Sequence, residues 1–186
     1  MTGLIIYWLL NGLPVLSPKK LYIANFLSGL LPPTRMYPIK SSLYKWAGVT
    51  IGINVRIVSS ARIVGSGRLS IGDNTFVGHY TKVIVGDGSI EIGSDVDVSS
   101  NVLIINGSHR QHDVQGKAAG SGYSGDIKVR DGAWIGASAT LIVGAEVGEC
   151  SIVAAGATVV GRVESFDTVG GVPAKKIRSL SARRDS

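Results

Sequence analysis

Two histidines and a carboxylate, His109, His112 and Asp113, sit close together within residues 106–126, a stretch with five glycines and no aliphatic period. A hydroxyl is a weak nucleophile until its proton is removed, and imidazole is the side chain whose ordinary pKa suits that task near neutrality. Farther along, Ala154, Ala155, Gly156 and Ala157 form a run of small side chains able to line a narrow groove. Beyond it, Lys175, Lys176 and Arg178 supply cations that can pair with phosphate oxygens. With His79, the chain's three histidines also admit a zinc site of three imidazoles and a water.

The elements that must hold these groups are written in a six-residue ladder. Ile51, Ile57, Ile63; Ile71, Val77, Val83; Ile92, Val98, Ile104; Val129, Ile135, Leu141; and Val147, Val153, Val159 are five triplets in which each step is six residues. That period fits neither an amphipathic helix nor a hairpin meander. It fits a solenoid with one inward aliphatic per flat face, three faces and eighteen residues per coil. The residue after the first member is glycine in four coils (Gly52, Gly72, Gly93, Gly148), which suits a corner. The residue after the third is always β-branched (Val64, Ile84, Ile105, Ile142, Val160), which suits extended backbone. Extra residues fall only between the third face of one coil and the first of the next, and nineteen of them make the histidine-bearing loop. Functional groups concentrate on such excursions from a rigid scaffold, and this one is expected to be non-strand loop.

Composition narrows the setting. At 186 residues the chain is long enough for one domain with a substantial core. Cys150 is the single cysteine, so no intrachain disulfide forms and a reducing, cytoplasmic location is expected, with Cys150 as a small buried side chain in a corner. The net charge of +6 gathers near the ends: Arg35, Lys40 and Lys45 precede the ladder, and Lys175, Lys176, Arg178, Arg183 and Arg184 follow it. No stacking platform or groove-reading helix accompanies this charge, so nucleic acid is excluded as the partner and phosphates or anionic lipid are favoured. Residues 4–16 are apolar but broken by Pro14 and too short to span a bilayer, and no basic residue precedes them as in a secretory signal. Two short helices are expected, over 4–16 and 21–31. They serve either as a packing collar or as a peripheral membrane contact through residues 4–31, with Tyr7, Trp8, Lys19 and Lys20 at the lipid interface.

The ladder, with the segments Ile71-Gly72-Asp73-Asn74, Trp134-Ile135-Gly136-Ala137, Ile152 to Val159 and Val169 to Arg178, resembles the hexapeptide-repeat acyltransferases. Within them it is most similar to the maltose and galactoside O-acetyltransferases and those of capsule and O-antigen synthesis. The resemblance covers roughly residues 48–178. It implies a mainly β fold, a left-handed parallel β-helix of about five coils with a short helical N-terminal segment and a C-terminal helix or tail. The implied division is 1–47, 48–170 and 171–186.

The resemblance also implies an acetyl-CoA-dependent transfer to a sugar hydroxyl in surface polysaccharide synthesis, without metal, by a homotrimer; the apolar, basic N-terminus favours a lipid- or nucleotide-linked glycan as the acceptor. The family's catalytic histidine lies eight residues after an Asn-Val pair, a spacing kept by Asn101-Val102 and His109. Ala137 matches the backbone amide that meets the oxyanion, with Gly136 allowing close approach and Trp134 shaping the wall. Ala154, Ala155 and Gly156 match the pantetheine groove, and Lys175 and Arg178 the nucleotide phosphates. Where the family often has Thr-Lys this chain has Val160-Gly161, with Arg162 as a substitute. Residues 1–47 carry no acid and 78–81 read Gly-His-Tyr-Thr, which departs from the acceptor site of the maltose and galactoside enzymes. N-acetylation of an amino sugar stays open. So do a γ-class carbonic anhydrase, which shares this fold, and a non-catalytic scaffold.

Overall fold

The computed structural model describes residues 14–111 and 117–179. The ladder closes into a parallel β-solenoid with three sheets as its faces. Six strands lie on the first face, six coil strands plus a terminal antiparallel strand on the second, and five on the third. The register stacks like on like: Ile51, Ile71, Ile92, Val129, Val147 and Val163 follow one another up the first face. All fifteen ladder residues are buried. Val163 and Val169 add a partial sixth coil to the five expected, because Val159 and Val163 are only four residues apart and break the period.

Each face turns two side chains inward, not one. The residue two before each ladder position is also buried: Val49, Val55 and Ala61 in the first coil, Thr75 and Thr81 in the second, Ala133 and Ala139 in the fourth. The polar members of this row satisfy themselves on backbone. Thr75 Oγ1 donates to the Gly93 carbonyl and Thr81 Oγ1 to that of Ser99, both at 2.7 Å. Corner glycines are required by coil stacking: a Cβ on Gly72 would lie 2.5 Å from backbone atoms of Gly93 and Ser94. Left-handed backbone falls two residues later, at Asn54, Asn74, Asp95, Gly132, Cys150 and Phe166, with φ between 51° and 69°. Cys150 therefore occupies a corner, half-buried where a buried side chain was expected.

Both open ends are closed. Helix α1 (Pro18–Gly29) starts at the Ser17 cap and lays Leu21 and Ala24 on the first coil. The buried Asn25 side chain donates to the Ile63 carbonyl (2.7 Å) and accepts from the Ile63 N–H (3.2 Å), as a further strand would. Helix α2 (Tyr37–Trp46), which the sequence reading left unassigned, seats Tyr44 in the core and bonds Ser41 to the Val55 carbonyl. The expected helix over 21–31 corresponds to α1, whereas nearly all of the one over 4–16 lies outside the described residues. Lys40 is not a surface cation: it is buried, its Nζ donates to the Pro32 and Pro33 carbonyls at 2.8 and 2.7 Å, and burial lowers its pKa. At the far end the expected C-terminal helix or tail is a strand, Lys175–Ser179, antiparallel to Asp167–Gly170. That edge needed a partner for its backbone, and a helix would have left it open.

Candidate active site

The described part of 106–126 pairs as antiparallel strands, Gly107–Gln111 against Ala119–Ser124, and is not the non-strand loop expected. Its strands are Gly, Ser and polar residues without apolar alternation, so pairing left no mark in the sequence. The hairpin is latched at its base by Asn106, which is fully buried. Asn106 Oδ1 accepts from the Gly86 N–H (2.6 Å) and its Nδ2 donates to the Gly125 carbonyl (2.8 Å). Asp126 pins the return strand by accepting from the N–H and hydroxyl of Ser89, both at 2.8 Å. Those two bonds hold its carboxyl below the ordinary carboxylate range. Sequence reading passed over both residues, although a polar pair bracketing the one long insertion was a signal for them.

His109 sits on the first strand of this hairpin, exposed, facing a shallow groove of ≈ 560 Å³ with Ile84, Ile105 and Tyr123. Its Nδ1 lies 3.0 Å from the Gly120 carbonyl. A carbonyl can only accept, so in the neutral ring Nδ1 carries the proton and Nε2 keeps a lone pair. That is the tautomer a general base needs. Gly122 stands opposite His109 in the pairing and brings no side chain across the ring. His112 and Asp113 lie outside the described residues, so the trio does not enter the geometry. His79 sits at a coil corner with its Nδ1 3.2 Å from Ser60 Oγ. No cluster of metal-ligating side chains occurs among the described residues.

The other site residues assemble elsewhere, at the corner between the second and third faces. Asn101 has left-handed backbone there, with φ 59°. Ala137 is exposed; its carbonyl accepts from the Gly156 N–H (2.9 Å), and its own N–H enters none of the described hydrogen bonds. Gly136 makes a close approach, but to the next coil: a Cβ there would meet Ala155 N at 2.6 Å. Trp134 points outward as expected, half-exposed, its Nε1 donating to Ser99 Oγ at 3.2 Å. One coil on, Ala155 and Gly156 are exposed, while Ala154 lies under Gly170 and Ile177. The small-residue run and the basic terminal strand thus share one edge, with Lys175 and Arg178 exposed on it. Arg162 is tied to Glu164 by an ion pair of 3.0 Å. Lys176 is bound to Asp167 at 2.9 Å, which, with Ser179, depresses the Asp167 pKa.

His109 and this corner lie on opposite edges of the third face. The segment between them, residues 101–106 around the strand Leu103–Ile105, spans about 17 Å at ~3.3 Å per residue. A second hollow of ≈ 550 Å³, between α2 and the first coil, is lined by Tyr37, Lys45, Asn54 and Arg56 and contains no residue of either cluster.

No family model matches the chain. Among characterised sequences it is 28% identical over 145 residues to the galactoside O-acetyltransferase of Escherichia coli K12, covering 77% of this chain and 70% of that enzyme. It is 31% identical over 113 residues to a Saccharomyces cerevisiae protein named as an acetyltransferase, 61% of this chain and 57% of that one. The chain thus spans little more than half the yeast protein, and only 22% of the bifunctional protein GlmU of Shouchella clausii, with which it shares 34% identity over 63% of its own length. In fold it is similar to a Vibrio cholerae hexapeptide-repeat acetyltransferase complexed with acetyl-CoA (TM-score 0.71, 21% identity, 89% of this chain and 87% of that one). It is also similar to AntD, an N-acyltransferase of Bacillus cereus, in complex with dTDP and 3-hydroxybutyryl-CoA (TM-score 0.62, 20% identity, 81% of this chain and 91% of that one). In coil register and in these relatives the chain is similar, in sequence and in fold, to the hexapeptide-repeat acetyltransferases.

Proposed function

We propose that the chain transfers an acetyl group from acetyl-CoA to a hydroxyl of a sugar carried on a nucleotide or lipid, in the assembly of a surface polysaccharide. The observation that carries the proposal is the His109–Gly120 contact, which leaves Nε2 basic and open to a groove. In this reading Nε2 takes the hydroxyl proton as the oxygen attacks the thioester carbon. The Ala137 N–H stabilises the resulting oxyanion, and collapse expels the CoA thiolate, which recovers the proton from the imidazolium. Ala155 and Gly156 flank the pantetheine arm, and Lys175 and Arg178 meet the nucleotide phosphates.

Because base and oxyanion donor sit at opposite edges of one face, a single chain cannot assemble this site. A neighbouring copy must bring its corner to the first copy's hairpin, and a threefold ring gives every cleft the same composition. Homotrimerisation is therefore part of the proposal, and an active monomer in sedimentation at assay concentration would overturn it. The reaction is tested by incubating the chain with acetyl-CoA and a panel of nucleotide- and lipid-linked sugars. Thiol release with a base-labile acetyl ester on the sugar supports O-transfer. An alkali-stable amide product would replace it with N-transfer, and absence of CoA binding would overturn both.

A further inference from the structure

The end of the solenoid that carries α1 is unlike the rest of the molecule in charge and in surface. The first 72 residues hold eight lysines and arginines and no carboxylate; all thirteen acids come from Asp73 onward. On α1, Leu21, Ala24, Asn25 and Ser28 face the first coil, yet the opposite side is no more polar. Tyr22, Phe26 and Leu30 are 77%, 61% and 69% exposed, joined by Ile23 and Leu27. Trp46, half-exposed on α2, lies under the Lys20 ammonium, which is 5.2 Å from its ring centroid. Lys19 and Lys20 are exposed on α1 itself, and Arg35 and Lys45 are exposed elsewhere on the same helical end of the chain.

Two features identify what this surface meets. It is a surface of exposed aromatic and aliphatic side chains, with Tyr22 and Phe26 bordering a hollow of ≈ 470 Å³ against the first coil and two lysines in the helix's first turn, the composition of a helix lying in a lipid–water interface. Lys19 and Lys20 also occupy the first turn of α1, with no acid there, where the helix macrodipole repels positive charge. An anionic partner reverses that penalty. A second copy of the same patch would bring a second Lys19–Lys20 pair to it. We propose that the outer face of α1, with Trp46, Lys19 and Lys20, docks on an anionic lipid bilayer, placing the enzyme at a membrane surface without crossing it. Among the described residues no helix is long and apolar enough to span one.

The test is flotation of the full chain with phosphatidylcholine vesicles, with and without phosphatidylglycerol, which requires neither acetyl-CoA nor acceptor and so stands apart from the acetyl-transfer reading. Binding is expected to the anionic vesicles and at least tenfold less to the neutral ones. Lys19→Gln with Lys20→Gln should weaken it about 30-fold, each lysine contributing roughly fivefold. Tyr22→Ser with Phe26→Ser should weaken it at least tenfold with little change in melting temperature, since both side chains are mostly exposed. Equal binding to neutral vesicles, or binding unaffected by both pairs, would overturn the proposal. A fall in sedimentation coefficient in the serine variant would do so as well, by showing that another copy covers the patch.

Discussion

Along the solenoid wall every buried aliphatic has an equivalent in the coil above or below it; along the hairpin that carries His109 none does. Leu141 lies between Ile104 and Val159 in register, so its packing is shared among several coils. The hairpin instead hangs from a few directed bonds: the Asn106 amide, the Asp126 carboxylate and one imidazole–carbonyl contact. Stability is thus distributed in the wall, while chemistry is concentrated where little packing holds it. Substitutions in the two regions should fail differently.

The largest effect is expected at His109. His109→Ala should lower turnover by roughly 10²–10⁴-fold, the usual range for loss of a general base. The ring is exposed and supports no packing, so the melting temperature and CoA affinity should hold. A matching loss at His112→Ala with His109→Ala active would move the base three residues along. In the wall the signature reverses. Leu141→Ala leaves a cavity and should cost about 2–5 kcal/mol of stability, with turnover per folded molecule unchanged. Denaturant unfolding with active-site titration separates the two.

The same contrast explains what the sequence could show. A stacked wall repeats its demand at each coil, so fifteen buried residues stood out by period alone. The second buried row did not, because it mixes aliphatics with Thr75, Thr81 and Ser151, whose hydroxyls find backbone acceptors, the two threonines in the next coil and Ser151 in its own. The hairpin and the strand Lys175–Ser179 were illegible for another reason: both form to pair backbone at an edge, with glycine, polar or charged side chains that carry no alternation. The positions of His109, Ala137 and Ala155 along the chain were readable from motif resemblance. Their separation across the third face was not, since spacing along a coil does not say which edge a residue reaches.

Asn106→Ala should sharpen the comparison with an intermediate effect. It strips partners from the Gly86 N–H and the Gly125 carbonyl, at about 1–3 kcal/mol for each buried group left unpaired. The hairpin base loosens while Ala137, Ala155 and Lys175, one face away, keep their places. Turnover is expected to fall without a change in CoA affinity. A proportional loss of CoA binding would mean that the hairpin and the corner are one mechanical unit.

The smallest effect concerns Asp126, at the seam between hairpin and wall. Its pKa lies below the ordinary value of 3.8, chiefly through the Ser89 N–H and hydroxyl. A carboxyl depressed in the folded state contributes stability that is present above the unfolded pKa and lost as pH falls through the folded one. The group is solvent-exposed enough for screening to keep that contribution small, under about 1 kcal/mol. Comparison of Asp126→Asn with the wild type by thermal unfolding should therefore show a modest gap at neutral pH that closes as the pH drops below about 4. An amide that preserved full stability at neutral pH would show that geometry alone, without charge, holds the return strand. A gap that persisted in acid would point to the hydrogen-bond pattern and not to ionisation. Either result would revise the view that the hairpin is fastened by charge where the wall is fastened by packing.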